Sequence, residues 1–365
     1  MFINACEQKN IIVLKWFIKK YTCEIRDECL NNILACRIYN CYNENCKNII
    51  HKLLKNNMPL IISQILKLYY ISSEYIINIF VIGCKYGYLH MVQRWKNIWP
   101  NIDYRVKSDY AFKYACENGH LQVAQWLKNI WPDITPHTNI GCAFLNACIN
   151  GHLHVAQWLK NCWPEIDHYT EINNIFCQTC VQGHLDVAQW LTNNWSNIDY
   201  NGHNNWAFLS ACSNGYLHIA KWLKSQCPEI NHRDISDYAF RWACGHGHLC
   251  TAKWLKNKWP DIDHQAESND AFRWACTNGY LHVAQWLKSN WPDIDHRADS
   301  DWTFRYACEN GYLHVAQWLK SNWPDIDHRT DSDWAFRFAC QKGHLHVAKW
   351  LKENWPDIDH RAISD

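Results

Sequence analysis

Cysteine recurs at 84, 116, 148, 180, 212, 244, 276, 308 and 340, always 32 residues apart, and histidine recurs on the same interval at 168, 232, 264, 296, 328 and 360 with one break. Thiolate and imidazole are strong zinc ligands, thiols also pair as disulfides, and imidazole titrates near neutrality. Spacing decides which of these chemistries is open to them. Equivalent residues on stacked helices lie about 8–10 Å apart, beyond the ~7 Å Cα separation that a disulfide tolerates. The nine cysteines are therefore expected to be buried and reduced, acting as small apolar side chains. The histidines, each after an Asp or Asn, would form a ladder in which one ion reaches only one or two ligands. Hydrogen bonds between neighbouring segments are the expected role, with zinc binding or pH sensing as the alternative. A second series, His120, His152, His184, His248 and His344, follows a recurring glycine, and no ligand is expected there. No cofactor is implied.

The third chemical pattern is arginine beside aromatic rings. Position 110 and its equivalents read Tyr, Cys, Asn, Trp, Tyr, Asp, Trp, Trp, and position 114 reads Tyr, Asn, Gln, Ser, Trp, Trp, Tyr, Phe. Variation on a fixed frame marks surface, because a packing role constrains residue type alike in every repeat. Arg241, Arg273, Arg305 and Arg337 run between these positions, with Trp242, Trp274, Trp302, Tyr306 and Trp334 alongside and Arg297 and Arg329 on the connecting segments. Arginine and large aromatics are enriched where interfaces concentrate their binding energy. These residues are the candidate partner-binding surface. Alternatively, the arginines pair with Asp237, Asp301 and Asp333 as a solvated face.

What must position them is a pair of short helices. Phe112, Ala115, Cys116 and Gly119 fall at i, i+3, i+4 and i+7, one face of a helix. Asp109 or Ser108, and later Asp301 and Asp333, are expected to cap its start by accepting backbone N–H bonds. The glycine suits a left-handed turn. Leu121, Ala124 and Leu127 make the second stripe, with Gln125, Lys128 and Asn129 opposite. Trp126 and its equivalents at 158, 190, 222, 254, 286, 318 and 350 are expected to join the core, their indole N–H groups near an edge. Pro132 ends the second helix. The polar segment that follows is expected to project as a finger. Nine such units run from about Ile76 to Asp359 without an insertion. One pair cannot bury its apolar face alone, whereas stacked pairs share a continuous core, which predicts an elongated, curved rod.

Ala-Cys-Glu-Asn-Gly-His-Leu-x-Val-Ala-Gln-Trp-Leu at 115–127, with Asp-Ile-Asp in later units, resembles the ankyrin repeat. The resemblance implies an all-α, helix-turn-helix repeat solenoid with short hairpin-like fingers. Ala-Phe-Arg at 335–337 departs from the family's Pro-Leu-His, and Trp-Pro-Asp-Ile-Asp at 355–359 from its Gly-Ala-Asp-Val-Asn. The wording of the repeat is similar to ankyrin proteins of giant DNA viruses of amoebae.

Residues 1–75 read as degenerate repeats forming an N-terminal cap, with residues 76–365 as the regular array. After Ser364-Asp365 no C-terminal cap follows, so the last second helix is expected to present an under-covered face open to self-association. With 36 Lys+Arg against 35 Asp+Glu, no bulk field draws in nucleic acid or an anionic membrane. The start MFINACEQKN lacks the character of a signal peptide, and the apolar stretch Ile71 to Cys84 is interrupted by Ser73, Glu74 and Asn78. A cytoplasmic protein is expected. No phosphate loop or nucleophile elbow stands out. The expected function is a non-enzymatic scaffold that binds a host or viral protein through the first helices and fingers. Two alternatives are a ubiquitin-ligase substrate adaptor, from a faint F-box likeness at Met58 to Leu66, and nucleic-acid binding by the arginine and aromatic stripe.

Overall fold

Apolar spacing sets which face of each helix is buried. Ala111, Phe112, Ala115 and Cys116 share one side of a first helix and none of them reaches solvent, and Val123, Ala124 and Leu127 do the same on the second. A fully buried phenylalanine contributes about 2–3 kcal/mol over an exposed one, and the phenylalanines from Phe112 to Phe304 supply one such side chain per pair.

The computed structural model describes residues 73–134, 140–168, 171–200, 202–230, 237–263, 266–294, 301–326 and 333–358. These residues fall into two compact units divided between Glu171 and Ile172. The first holds three helix pairs: α1 (Ser73–Lys85) and α2 (Leu89–Ile98), α3 (Ser108–Glu117) and α4 (Leu121–Ile130), α5 (Ile140–Ile149) and α6 (Leu153–Cys162). The second holds six: α7 (Ile172–Gln182) and α8 (Leu185–Asn194), α9 (Gly202–Ser213) and α10 (Leu217–Gln226), α11 (Tyr238–Gly245) and α12 (Leu249–Lys258), α13 (Ala266–Thr277) and α14 (Leu281–Asn290), α15 (Trp302–Glu309) and α16 (Leu313–Asn322), α17 (Trp334–Gln341) and α18 (Leu345–Asn354). Within each unit the first helices of successive pairs pack side by side, and each pair packs on itself. Among the described residues there is no strand, and the architecture is an ankyrin-type helical repeat solenoid.

The turn between helices is built as the sequence predicts. At Gly119 φ is +78°. The His120 N–H donates to the Ala115 carbonyl at 2.8 Å and the Gly119 N–H to that of Cys116 at 3.1 Å, which satisfies two carbonyls at the end of α3. Gly119 is also the floor for the next pair, since a Cβ there would stand 2.6 Å from His152 Nδ1.

Two expectations need correction. Asp301 and Asp333 make no side-chain cap bond to their own helices, and α3 begins at Ser108 after an uncapped Lys107. Residues at this position take left-handed φ instead, 55 to 64° at Asn205, Asp237, Asn269, Asp301 and Asp333, which Asn and Asp tolerate better than other side chains. Their oxygens can then reach the segment after the second helix. Asp237 Oδ2 accepts the Asp263 N–H at 3.0 Å; Asn173, at the equivalent position but inside α7 and without the left-handed φ, accepts that of Asp199 through Oδ1 at 2.9 Å. The Trp126 series is half-buried, not enclosed. Within each unit these rings lean on the phenylalanine of the preceding pair, with centroids 6.1 Å apart for Phe112 and Trp158 and 6.3 Å for Phe240 and Trp286.

A lysine stands in the last turn of every second helix except α8, where Thr192 takes its place. Lys128 Nζ donates to the Pro132 carbonyl at 2.7 Å and lies 4.6 Å from the ring centre of Trp163 in the next pair. Lys288 does the same with Pro292 and Trp323. A cation at a helix C-terminus meets the unsatisfied carbonyls there.

Candidate functional site

Helices α11, α13, α15 and α17 hold the arginine and aromatic residues on one row, because Ala239, Phe240, Ala243 and Cys244 and their equivalents turn into the core and leave the adjoining side free. Arg241 is 6 % exposed and Arg305 9 %, with Arg273 and Arg337 half-buried. Each of the first three reaches forward into the next pair. Arg273 lies 4.3 Å from the ring centre of Trp302, Arg305 lies 5.6 Å from that of Trp334, and Arg241 lies 5.9 Å from that of Trp274. A guanidinium over an indole is worth about 0.5–2 kcal/mol, more when desolvated. Where the series carries Asp270 in place of a ring, an ion pair replaces the ring contact. Arg241 Nη1 stands 2.8 Å from Asp270 Oδ2, and Arg273 Nη1 stands 3.4 Å from Asp270 Oδ1.

The rings also meet one another. Tyr238 and Trp242 have centroids 5.3 Å apart, and Trp242 meets Trp274 edge-on at 4.9 Å. Beyond Asp270, Trp302 lies 4.3 Å from Tyr306, Tyr306 lies 6.2 Å from Trp334, and Trp334 stacks on Phe338 at 4.1 Å. The result is two aromatic clusters separated by a charged notch. All these rings are half-buried while Arg241 and Arg305 are buried, so solvent meets the rings more than those cations. The structure thus brings Arg241, Trp242, Arg273, Trp274, Trp302, Arg305, Tyr306, Trp334 and Arg337 onto one face. Arg297 and Arg329 lie outside the described residues, as do His232, His264, His296, His328 and His360 and the segment from Met58 to Leu66.

Sequence reasoning missed Asp270, which carries the ion pairs, because its position varies and its partners come from two different helices. Asp237 also ties down the backbone, accepting the Asp263 N–H through Oδ2.

The cysteines at 84, 116, 148, 180, 212, 244, 276 and 308 are free and buried, and Cys340 is free and half-buried. Burial pushes their thiols upward, away from the reactive thiolate. A Cys-x-x-Cys pair does stand in α7, at Cys177 and Cys180, and both thiols are free. Burial holds Cys177 up at about 11. Histidines after the glycine are packing residues: a Cβ at Gly87 would stand 2.4 Å from His120 Nδ1. Burial lowers His120 and His248, partly offset by hydrogen bonds to the backbone at Lys85 and Ser213. A neighbouring series ties pairs together, as when His154 Nε2 approaches the Gly119 carbonyl at 3.1 Å. Among the described residues no three His, Cys, Asp or Glu side chains gather closely enough to hold a metal ion, and no helix is long and apolar enough to cross a membrane.

Two family models match the second unit. Residues 208–299 match the one described as ankyrin repeats (3 copies), and residues 304–351 the one described as ankyrin repeats (many copies). No curated protein matches the chain.

Proposed function

We propose that this chain, which carries ankyrin repeats, is a non-enzymatic scaffold that holds a protein partner on the first-helix face of α11, α13, α15 and α17. Ankyrin repeats are generally protein–protein interaction modules. The observation that carries the reading is the row of half-exposed rings from Tyr238 to Phe338, braced from the sides by arginines already engaged within the fold. Bracing matters because rings fixed before binding lose little side-chain entropy when a partner arrives. It also weighs against nucleic acid as the ligand. Phosphates need accessible cations, and Arg241 and Arg305 are buried.

On this reading the partner is a host or viral protein met in the cytoplasm, a source supported by the wording of the repeat alone. The fingers that carry Arg297 and Arg329 would border the same surface.

The test is affinity capture with the wild-type chain and with a Tyr306→Ala, Phe338→Ala, Arg337→Glu variant, after circular dichroism has established that both have the same helix content. Loss of one or more partners from the variant is expected. Identical partner lists from the two proteins would remove this surface as the binding site.

A further inference from the structure

The forward reach of the arginines shows what happens where one is missing. Arg273 covers the ring 29 residues on, Trp302, and Arg305 covers Trp334 by the same step. Two pairs before Arg241 the equivalent residue is Cys177 in α7, and the ring 29 residues on is Trp206 in α9. With a thiol in place of a guanidinium, Trp206 is 42 % exposed, whereas Trp302 and Trp334 are half-buried. Tyr110, with Val81 at the arginine position before it, is likewise 57 % exposed, whereas Tyr238, which follows Leu209, is half-buried and lies 5.3 Å from Trp242.

Beside Cys177 the missing side chain leaves room. A cleft of about 190 Å³ is lined by Asn173, Phe176, Cys177, Asp199, Gly202 and Ala207, the last adjoining Trp206 in sequence. Gly202 keeps the rim open, since a Cβ there would stand 3.3 Å from Asp199 Oδ2. Asp199 is exposed at that rim and brings negative charge, Asn173 fixes its backbone, and the Cys177 thiol is held neutral by burial.

We propose that this cleft receives the guanidinium of an arginine from a partner polypeptide, stacked on Trp206 and paired with Asp199, in the place that the chain's own arginines fill in later pairs. Arginine is favoured over lysine because its planar fork stacks on an indole and bridges to a carboxylate at once. The site is separate from the ring clusters of α11 to α17, so it stands whether or not those rings bind a partner.

The probe is the blocked peptide acetyl-Gly-Arg-Gly-amide, with the lysine peptide as its control, titrated into the full-length chain. The readout is the indole N–H resonance of Trp206, assigned through Trp206→Phe. A saturable shift is expected with the arginine peptide, several-fold weaker with the lysine peptide. Cys177→Arg is expected to abolish the response by supplying the guanidinium internally, and Asp199→Asn, at an exposed site, to weaken binding several-fold. Absence of a saturable shift, equal responses to the two peptides, or wild-type affinity in Asp199→Asn would each overturn the proposal.

Discussion

Asp270 shows what a single side chain does in the ladder. It holds two arginines, its own side chain is 13 % exposed, and those of Arg241 and Arg273 are 7 % and 15 % exposed. Removing one partner of a buried ion pair costs about 3–5 kcal/mol, because the remaining charge stays desolvated. Asp270→Asn is therefore expected to destabilise the second unit by about 2–4 kcal/mol in urea denaturation, at the lower side of that range since the pair is not fully buried. Asp270→Trp places there the residue found at 302 and 334 and gives Arg241 a ring to lie over, so its loss is expected to be smaller. Equal losses from the two variants would mean that the ring contacts in neighbouring pairs do not substitute for the carboxylate. Sequence spacing made the arginine row legible, since identical residues recur every 32 positions. The pairing was hidden, because each partner lies 29 positions ahead in another helix and changes type from ring to carboxylate.

At the scale of the element, the glycine between helices does two things that mutation can separate. Gly119 has φ +78° and a Cβ there would meet His152 at 2.6 Å, whereas Gly343 has the same φ with nothing within 4 Å. Gly343→Ala then isolates the left-handed strain, about 1–2 kcal/mol. Gly119→Ala adds the clash and is expected to cost clearly more by thermal denaturation; equal costs would show that the histidine simply swings away. The same contact predicts a pH effect. Burial lowers His120 and His248, so the folded state resists the proton that the unfolded chain accepts near its ordinary pKa of about 6.5. This stability is present above that pH and is lost as pH falls towards the depressed folded values. Tyrosine occupies the equivalent position at 216, 280 and 312 over the same glycine. A His120→Tyr, His248→Tyr variant is thus expected to lose less stability than wild type as pH falls below about 6.5; an unchanged pH slope would assign that slope to other groups. The helix pair and its turn were readable from Gly, Phe and Cys at fixed offsets. The cap expected at Asp301 and Asp333 is not made because the left-handed backbone there, which at Asp237 sends the oxygen to a residue 26 positions away, leaves no mark in a sequence where Asp before a helix normally caps it.

For the whole molecule, what one pair leaves uncovered the next must cover. Leu345 opens α18 and is 63 % exposed, while Leu121, Leu153, Leu185, Leu217, Leu281 and Leu313 at the same position are half-buried. Cys340 is half-buried where its equivalents are buried, and Phe336 is 9 % exposed where Phe112 and Phe304 are at 0 % and 1 %. Together these residues make an apolar face on α17 and α18 that no other described residue covers. A scattered exposed leucine needs no explanation, but adjoining ones favour association. Repeat arrays add stability through contacts between neighbours, and a face that no described residue covers loses little stability when made polar. Leu345→Gln is therefore expected to leave the melting temperature within about 2 °C of wild type, a change of under ~0.5 kcal/mol. Light scattering at rising concentration is expected to show self-association in wild type and less in the variant. Leu313→Gln, at the same position one pair earlier, is the contrast: Leu313 is half-buried, and its substitution is expected to lower the melting temperature. Should Leu345→Gln destabilise as much as Leu313→Gln, the face on α17 and α18 is covered within the chain and association must be sought elsewhere.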